Sequence, residues 1–146
     1  MSAVTQDLMK LYSQRILALA AGIPRVGRLE SPDGSSMKRS PLCGSTVTVD
    51  VAMADGRVAD YAHDVKACAL GQSSAAVLAE QVVGRTRDEI AAGRDGLRAM
   101  LKNDGPVPGA PWDGLEALQP ARDYKNRHAS ILLAWDATLA AIDAAG

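Results

Sequence analysis

Two stretches of alternating apolar residues joined by Asp55-Gly56 restrict the fold of this 146-residue chain more than any other feature. Val47, Val49, Val51 and Met53 recur at period two, with Thr46, Thr48 and Asp50 between them, which predicts a strand with one buried face. Asp-Gly supplies two residues that tolerate positive φ, the requirement of a tight two-residue hairpin turn. The return strand is expected over residues 58–65, with Ala59, Tyr61, His63 and Val65 on its more apolar face. An antiparallel sheet follows before any helix is considered.

The remaining periodicities are helical. Leu8, Leu11, Tyr12, Ile16 and Leu19 predict an amphipathic helix from about residue 5 to residue 20, stopped by Gly22 and Pro24. Residues 25–38 read as loop, leading into a short edge strand at 35–39. From residue 69 to 83 the pattern is helical and crowded with Gly71, Ser73, Ser74, Ala75 and Ala76, small residues that permit close approach to the sheet. Thr86 and Glu89 form a capping-box signal for a helix reaching about residue 102, in which Gly93 and Gly96 predict a break. Residues 103–124 carry Pro106, Pro108, Pro111 and Pro120 and read as a long connection with one helical turn at 115–118. A last helix is expected over 126–144, with Ile131, Trp135, Leu139 and Ile142 as its stripe. Strands and helices are segregated along the chain. The expected fold class is therefore α+β: one domain spanning 1–146, a small antiparallel sheet of two to three strands with helices packed on one face.

Charge excludes some partners. Sixteen Lys and Arg against 17 Asp and Glu, interspersed, give a formal charge of −1, with no basic field for nucleic acid and no polybasic run for a membrane surface. No stretch approaches the roughly 18 apolar residues of a spanning helix, and the first residues lack a secretory pattern, so a cytoplasmic protein is expected. In a reducing compartment the two cysteines point to reactivity or metal binding rather than to a structural disulfide. Cys43 sits in a turn, between Pro41 and Gly44, just ahead of the first alternating run. Cys68 directly precedes a helix, where unpaired backbone N–H groups favour an anion. The hairpin can bring both to one end of the sheet.

The elements SPLCGS, DGRVADYAHDVKACALGQSSAAVLAEQVVGR and RHASILLAWDA, with the opening LMKLYSQRIL, resemble the U-type iron-sulfur scaffold family (NifU N-terminal domain, IscU, SufU). The long segment before the last helix is more similar to the SufU branch. The resemblance implies a scaffold that assembles a [2Fe-2S] cluster or binds zinc at three cysteines and an aspartate, with sulfur from a cysteine desulfurase and apo-proteins as recipients. Carried over by residue, Cys43 and Cys68 match the first two cysteines. Ser45 stands where the aspartate is expected, and His128 is taken as the third ligand. Imidazole binds zinc and iron, yet it cannot accept sulfur, so a relay would have to use Cys43 or Cys68. The chaperone-recognition motif of the IscU branch is absent.

Each residue also has a structural reading. Cys43 and Cys68 could be small buried thiols, and His128 a histidine at a helix terminus. His63, between Tyr61 and Val65 on the apolar face, is expected to be structural, with ligation as the alternative. Ser45 reads as a strand-start hydroxyl and Asp64 as a reserve ligand; water or a partner residue could equally complete the shell. The expected function is thus a non-enzymatic scaffold or carrier holding a cluster or zinc at Cys43, Cys68 and His128. The alternative is a degenerate zinc-binding or metal-free interaction module, or a sulfur acceptor, acting with a cysteine desulfurase. The oligomeric state is left open.

Overall fold

The computed structural model describes residues 11–41 and 44–146. Helix α1 (Gln14–Ala21) precedes strands β1 (Gly34–Arg39), β2 (Thr46–Ala54) and β3 (Arg57–Lys66). Helices α2 (Ala69–Gln81) and α3 (Arg87–Lys102) follow, then 3-10 segments at Asp113–Asp123 and Lys125–Arg127, and finally helix α4 (His128–Ala145). The strands form one antiparallel sheet in the order β1-β2-β3. Asp55 and Gly56 both take positive φ, 54° and 76°, as a primed hairpin turn requires.

One face of the sheet meets the helices. Val49 lies opposite His63 and Val51 opposite Tyr61, so these side chains share that face. The Tyr61 hydroxyl lies 2.8 Å from Thr138 Oγ1 of α4. Near the turn the alternation differs from expectation. Ala52 pairs with Asp60 but Met53 with Val58, so Ala59 is an extra residue in a β-bulge. Val58 therefore fills the core and Ala59 is exposed. Where β1 meets α4 the backbones nearly touch, since a Cβ on Gly34 would overlap the carbonyl oxygen of Ala141.

The opposite face is not simply solvated. Asp50, expected on the polar side of β2, is fully buried. Its carboxylate accepts from Arg28 Nε at 2.6 Å and Nη2 at 3.0 Å, from Leu29 N at 3.0 Å and from Ser35 Oγ at 2.6 Å. The Arg28 guanidinium, helped by Ser35 and Leu29, holds this carboxyl below the usual range despite its burial. The loop that the sequence leaves featureless is in this way pinned across the sheet by one buried charge.

The helices depart from expectation where short-range signals compete. Ser13 caps α1, accepting from Ile16 N at 3.2 Å, so the described helix begins at Gln14. The start expected near residue 5 lies outside the described residues. Thr86 and Glu89 close their capping box, but α3 runs unbroken through Gly93 and Gly96. Gly93 instead makes room: a Cβ there would come within 2.7 Å of the Trp112 ring. That indole donates to the Glu89 carbonyl at 3.1 Å and meets Trp135 edge-on, with centroids 4.9 Å apart. The single turn expected at 115–118 is an eleven-residue 3-10 segment. Trp112, Leu115, Leu118 and Ala121 are all buried, and their spacing of three matches a 3-10 period.

Gly93→Ala should destabilise the protein by about 1–3 kcal/mol, the usual cost of overpacking, because the methyl meets two rigid indoles. Urea unfolding followed by tryptophan fluorescence would measure it.

Candidate functional site

Cys68 occupies the N-cap of α2 in extended conformation and makes no capping hydrogen bond with its side chain. It is a half-buried free thiol. Its Sγ lies 3.6 Å from Ser130 Oγ, and Ser130 Oγ lies 3.1 Å from Ser45 Oγ. Three chain segments thus meet at one end of the sheet. The Thr46–Lys66 pairing sets the start of β2 beside the end of β3, with Ser45 just before the one and Cys68 just after the other. Before β2 the backbone closes on itself, Ser40 N donating to Ser45 O at 2.8 Å and Gly44 N to Ser40 O at 2.9 Å. Cys43 lies outside the described residues.

Ser130 arrives through close packing of α4 on α2. A Cβ on Gly71 would stand 2.8 Å from Ser130 Oγ, so glycine is needed for the approach. One turn further along, Ser74 Oγ donates to the Ile131 carbonyl at 2.7 Å and accepts from Trp135 Nε1 at 3.0 Å. The small residues expected to bring this helix close to the sheet instead bring it close to α4 and α1, and the Ser73 and Ser74 hydroxyls are satisfied inside the core.

Chemically, the row is one soft sulfur followed by two hard hydroxyl oxygens. A serine hydroxyl can donate to a thiolate or accept from a thiol, but it does not replace thiolate as a ligand for soft metals. Among the described residues, no group of three His, Cys, Asp or Glu side chains could hold a metal ion.

Ser130, not His128, is the residue of this turn that meets the thiol. His128 opens α4 two residues earlier, roughly 200° away around the helix. It is buried, and its Nε2 lies 3.0 Å from the Ala121 carbonyl oxygen. A carbonyl only accepts, so Nε2 carries the hydrogen and Nδ1 is the nitrogen left for any ligand. The ring lines a polar cavity of about 460 Å³ with Asp104, Arg122, Asp123 and Lys125. His63 and Asp64 sit three and two rungs along the ladder from Thr46–Lys66, His63 against the helices and Asp64 exposed on the other face. Ser130 was legible only as one small polar residue, like Thr138, in a mostly apolar helix.

The chain belongs to the NifU-like N-terminal domain family, whose model matches residues 11–109. It is 23% identical over 125 residues to the iron-sulfur cluster assembly scaffold protein IscU of Thermotoga maritima, covering 86% of this chain and 87% of that protein. It is 25% identical over 79 residues to the corresponding IscU 1 of Archaeoglobus fulgidus, 54% of this chain and 52% of that protein. The chain thus spans about half the length of the Archaeoglobus relatives it matches. A crystal structure of a nitrogen-fixing NifU-like protein (N-terminal) from Brucella abortus superposes with a TM-score of 0.92 at 47% identity, covering 94% of this chain and 96% of that one. A putative SufU scaffold from Fervidobacterium islandicum shares the fold, with a TM-score of 0.79 at 20% identity over 88% of this chain and 94% of that one. The α+β architecture expected from the sequence agrees with both.

His63, expected to be structural, is packed in the core. It is fully buried, with its ring centroid 5.3 Å from that of Tyr61. Its Nε2 donates to the Pro24 carbonyl at 2.8 Å, and its Nδ1 is buried without a partner. Burial pushes its pKa below the ordinary value, outweighing the Pro24 bond and the nearby Asp64. The unfolded chain therefore takes up a proton first as pH falls. Stability contributed by neutral His63 should be whole above about pH 6.5 and decline as pH drops from there through the folded-state value. Thermal unfolding between pH 7.5 and 5 should show the decline, and His63→Gln, which keeps the donor to Pro24, should flatten it.

Proposed function

We propose that this protein is an iron-sulfur scaffold or carrier, with a [2Fe-2S] cluster, or zinc in its place, as the cargo held at Cys43 and Cys68. Cys68 carries the reading: a thiol with no disulfide and no capping duty, half exposed where three chain segments end. The family and the names of the relatives support it, and the lead from Gly44 into Ser45 gives Cys43 a short path to the same end of the sheet. In this reading sulfur comes from a cysteine desulfurase and the cargo leaves to apo-proteins, with no turnover of substrate by the chain itself. No helix among the described residues is long and apolar enough to cross a membrane.

His128, the third ligand expected from the sequence, would have to bind through Nδ1, with its Nε2–H on Ala121 as the orienting bond common for metal-bound histidines. Its position on the helix favours Ser130 as the nearer neighbour of the cargo. We therefore assign ligation to the two cysteines, the remaining positions being taken by water or by a residue of the partner. Ser45 and Ser130 favour a second reading, in which the chain keeps the fold and a single-sulfur site and accepts sulfur from a desulfurase without retaining a metal.

Zinc titration and anaerobic reconstitution with iron and sulfide test these readings. Cys68→Ser and Cys43→Ser should each weaken zinc by about 100-fold or more, beyond the loss typical of outer-shell changes. His128→Ala should leave affinity unchanged, and Ser130→Cys should tighten it by placing a second sulfur beside Cys68. A wild-type chain that stays colourless and binds no zinc, yet carries desulfurase-derived sulfur on Cys68, would establish the second reading; loss of zinc in His128→Ala would restore the histidine as a ligand.

A further inference from the structure

Away from the cysteines, α3 and α4 and the end of β1 enclose a groove of about 840 Å³, within the range of ligand and peptide clefts. Two ion pairs tie its walls. Arg87 grips Asp143 at 2.6 and 3.1 Å, and Arg94 binds Asp136 at 2.9 Å and Asp95 at 3.4 Å. Among the described residues these are the only acids that line it, and all three are engaged. Lys38, Arg39, Lys102 and Lys125 line it as well, and among the described residues none has a carboxylate partner. The groove therefore carries a surplus of three positive charges in a chain whose formal charge is −1. Leu132 and Leu133, nearly buried, floor the groove, and Leu139 with Ala91, Ala129 and Ala140 supplies apolar surface between the charged walls.

We propose that this groove docks an acidic, partly apolar segment of a partner protein. Unpaired lysines cost little in water but complement carboxylates brought to them, and they steer such a segment toward the cleft. A small inorganic anion would leave the leucine surface unused, and four separated cations on three elements do not converge on one point. The location gives the contact a purpose: Pro41 and Lys125, at one end of the groove, lie within a few residues of Ser45 and Ser130 along the chain. A partner seated there is delivered to the sulfur site, whether or not that site retains metal.

The full-length protein would be titrated into a fluorescein-labelled helical peptide of Glu and Leu, with one acidic and one apolar face, and binding read by anisotropy. Saturable binding that weakens with added salt is expected. Lys102→Glu combined with Lys125→Glu should weaken it at least about tenfold, equivalent to about 1.4 kcal/mol, whereas Arg15→Glu, exposed on α1 and outside the groove lining, should not. Circular dichroism would establish that the variants are folded. Equal binding of a Lys and Leu peptide, preference for a single-stranded oligonucleotide, unchanged affinity in the double variant, or no binding would each overturn the proposal. Zinc affinity in the same variants is the separate readout: its retention with peptide binding lost sets the groove apart from the metal site.

Discussion

The contact between α2 and α4 decides what the rest of the molecule can do. Gly71 removes the side chain that would collide with Ser130, and Ser74 stitches the helices by accepting from Trp135 and donating to Ile131. Each such buried hydrogen bond contributes only about 1 kcal/mol net, but leaving any of these groups unmet would cost more. Because only two residues separate β3 from α2, and β3 is laddered to β2, this one helix contact registers three separate parts of the chain. Cys68, Ser45 and Ser130 meet as a result, and the contacts of Ser130 Oγ with the other two follow from that packing.

The two faces of the sheet are covered by different physics. The helix face relies on area, with Val47, Val49, Val51 and Tyr61 buried against α2 and α4. The other face relies on one carboxylate with four donors, which lets a short loop replace a helical layer. A small domain gains from this economy, since a second apolar layer would need more chain than is present.

Much of this was legible in the sequence because it is written locally. The Asp55-Gly56 turn, the Thr86/Glu89 box and the period-two runs each carry their own geometry within a few residues, and all appear, the second run departing from expectation only at the Ala59 bulge. What was illegible depends on partners distant along the chain. Gly93 looks like a helix breaker until Trp112 is found above it, and Asp50 looks solvated until Arg28 is seen closing over it. The period of three from Trp112 to Ala121 was present but hidden by the prolines around it. At the site, Cys68 stands out by its position before a helix. Ser130 does not, because its significance comes only from the thiol across the helix contact, whereas His128, a more conspicuous side chain in the sequence, turns toward Ala121.

The oxygen at position 130 also bears on how long an adduct on Cys68 would last. Were a thiol 3.6 Å away, it could attack the inner sulfur of a persulfide, forming a disulfide and expelling hydrosulfide within the same molecule. A serine hydroxyl is not nucleophilic enough for that displacement at neutral pH, so the nearest described neighbour offers no internal route of discharge. Release of a sulfur parked on Cys68 would then fall to a thiol other than this neighbour, that of Cys43 or of an arriving partner, making the residence time a property of that approach rather than of the Ser130 contact.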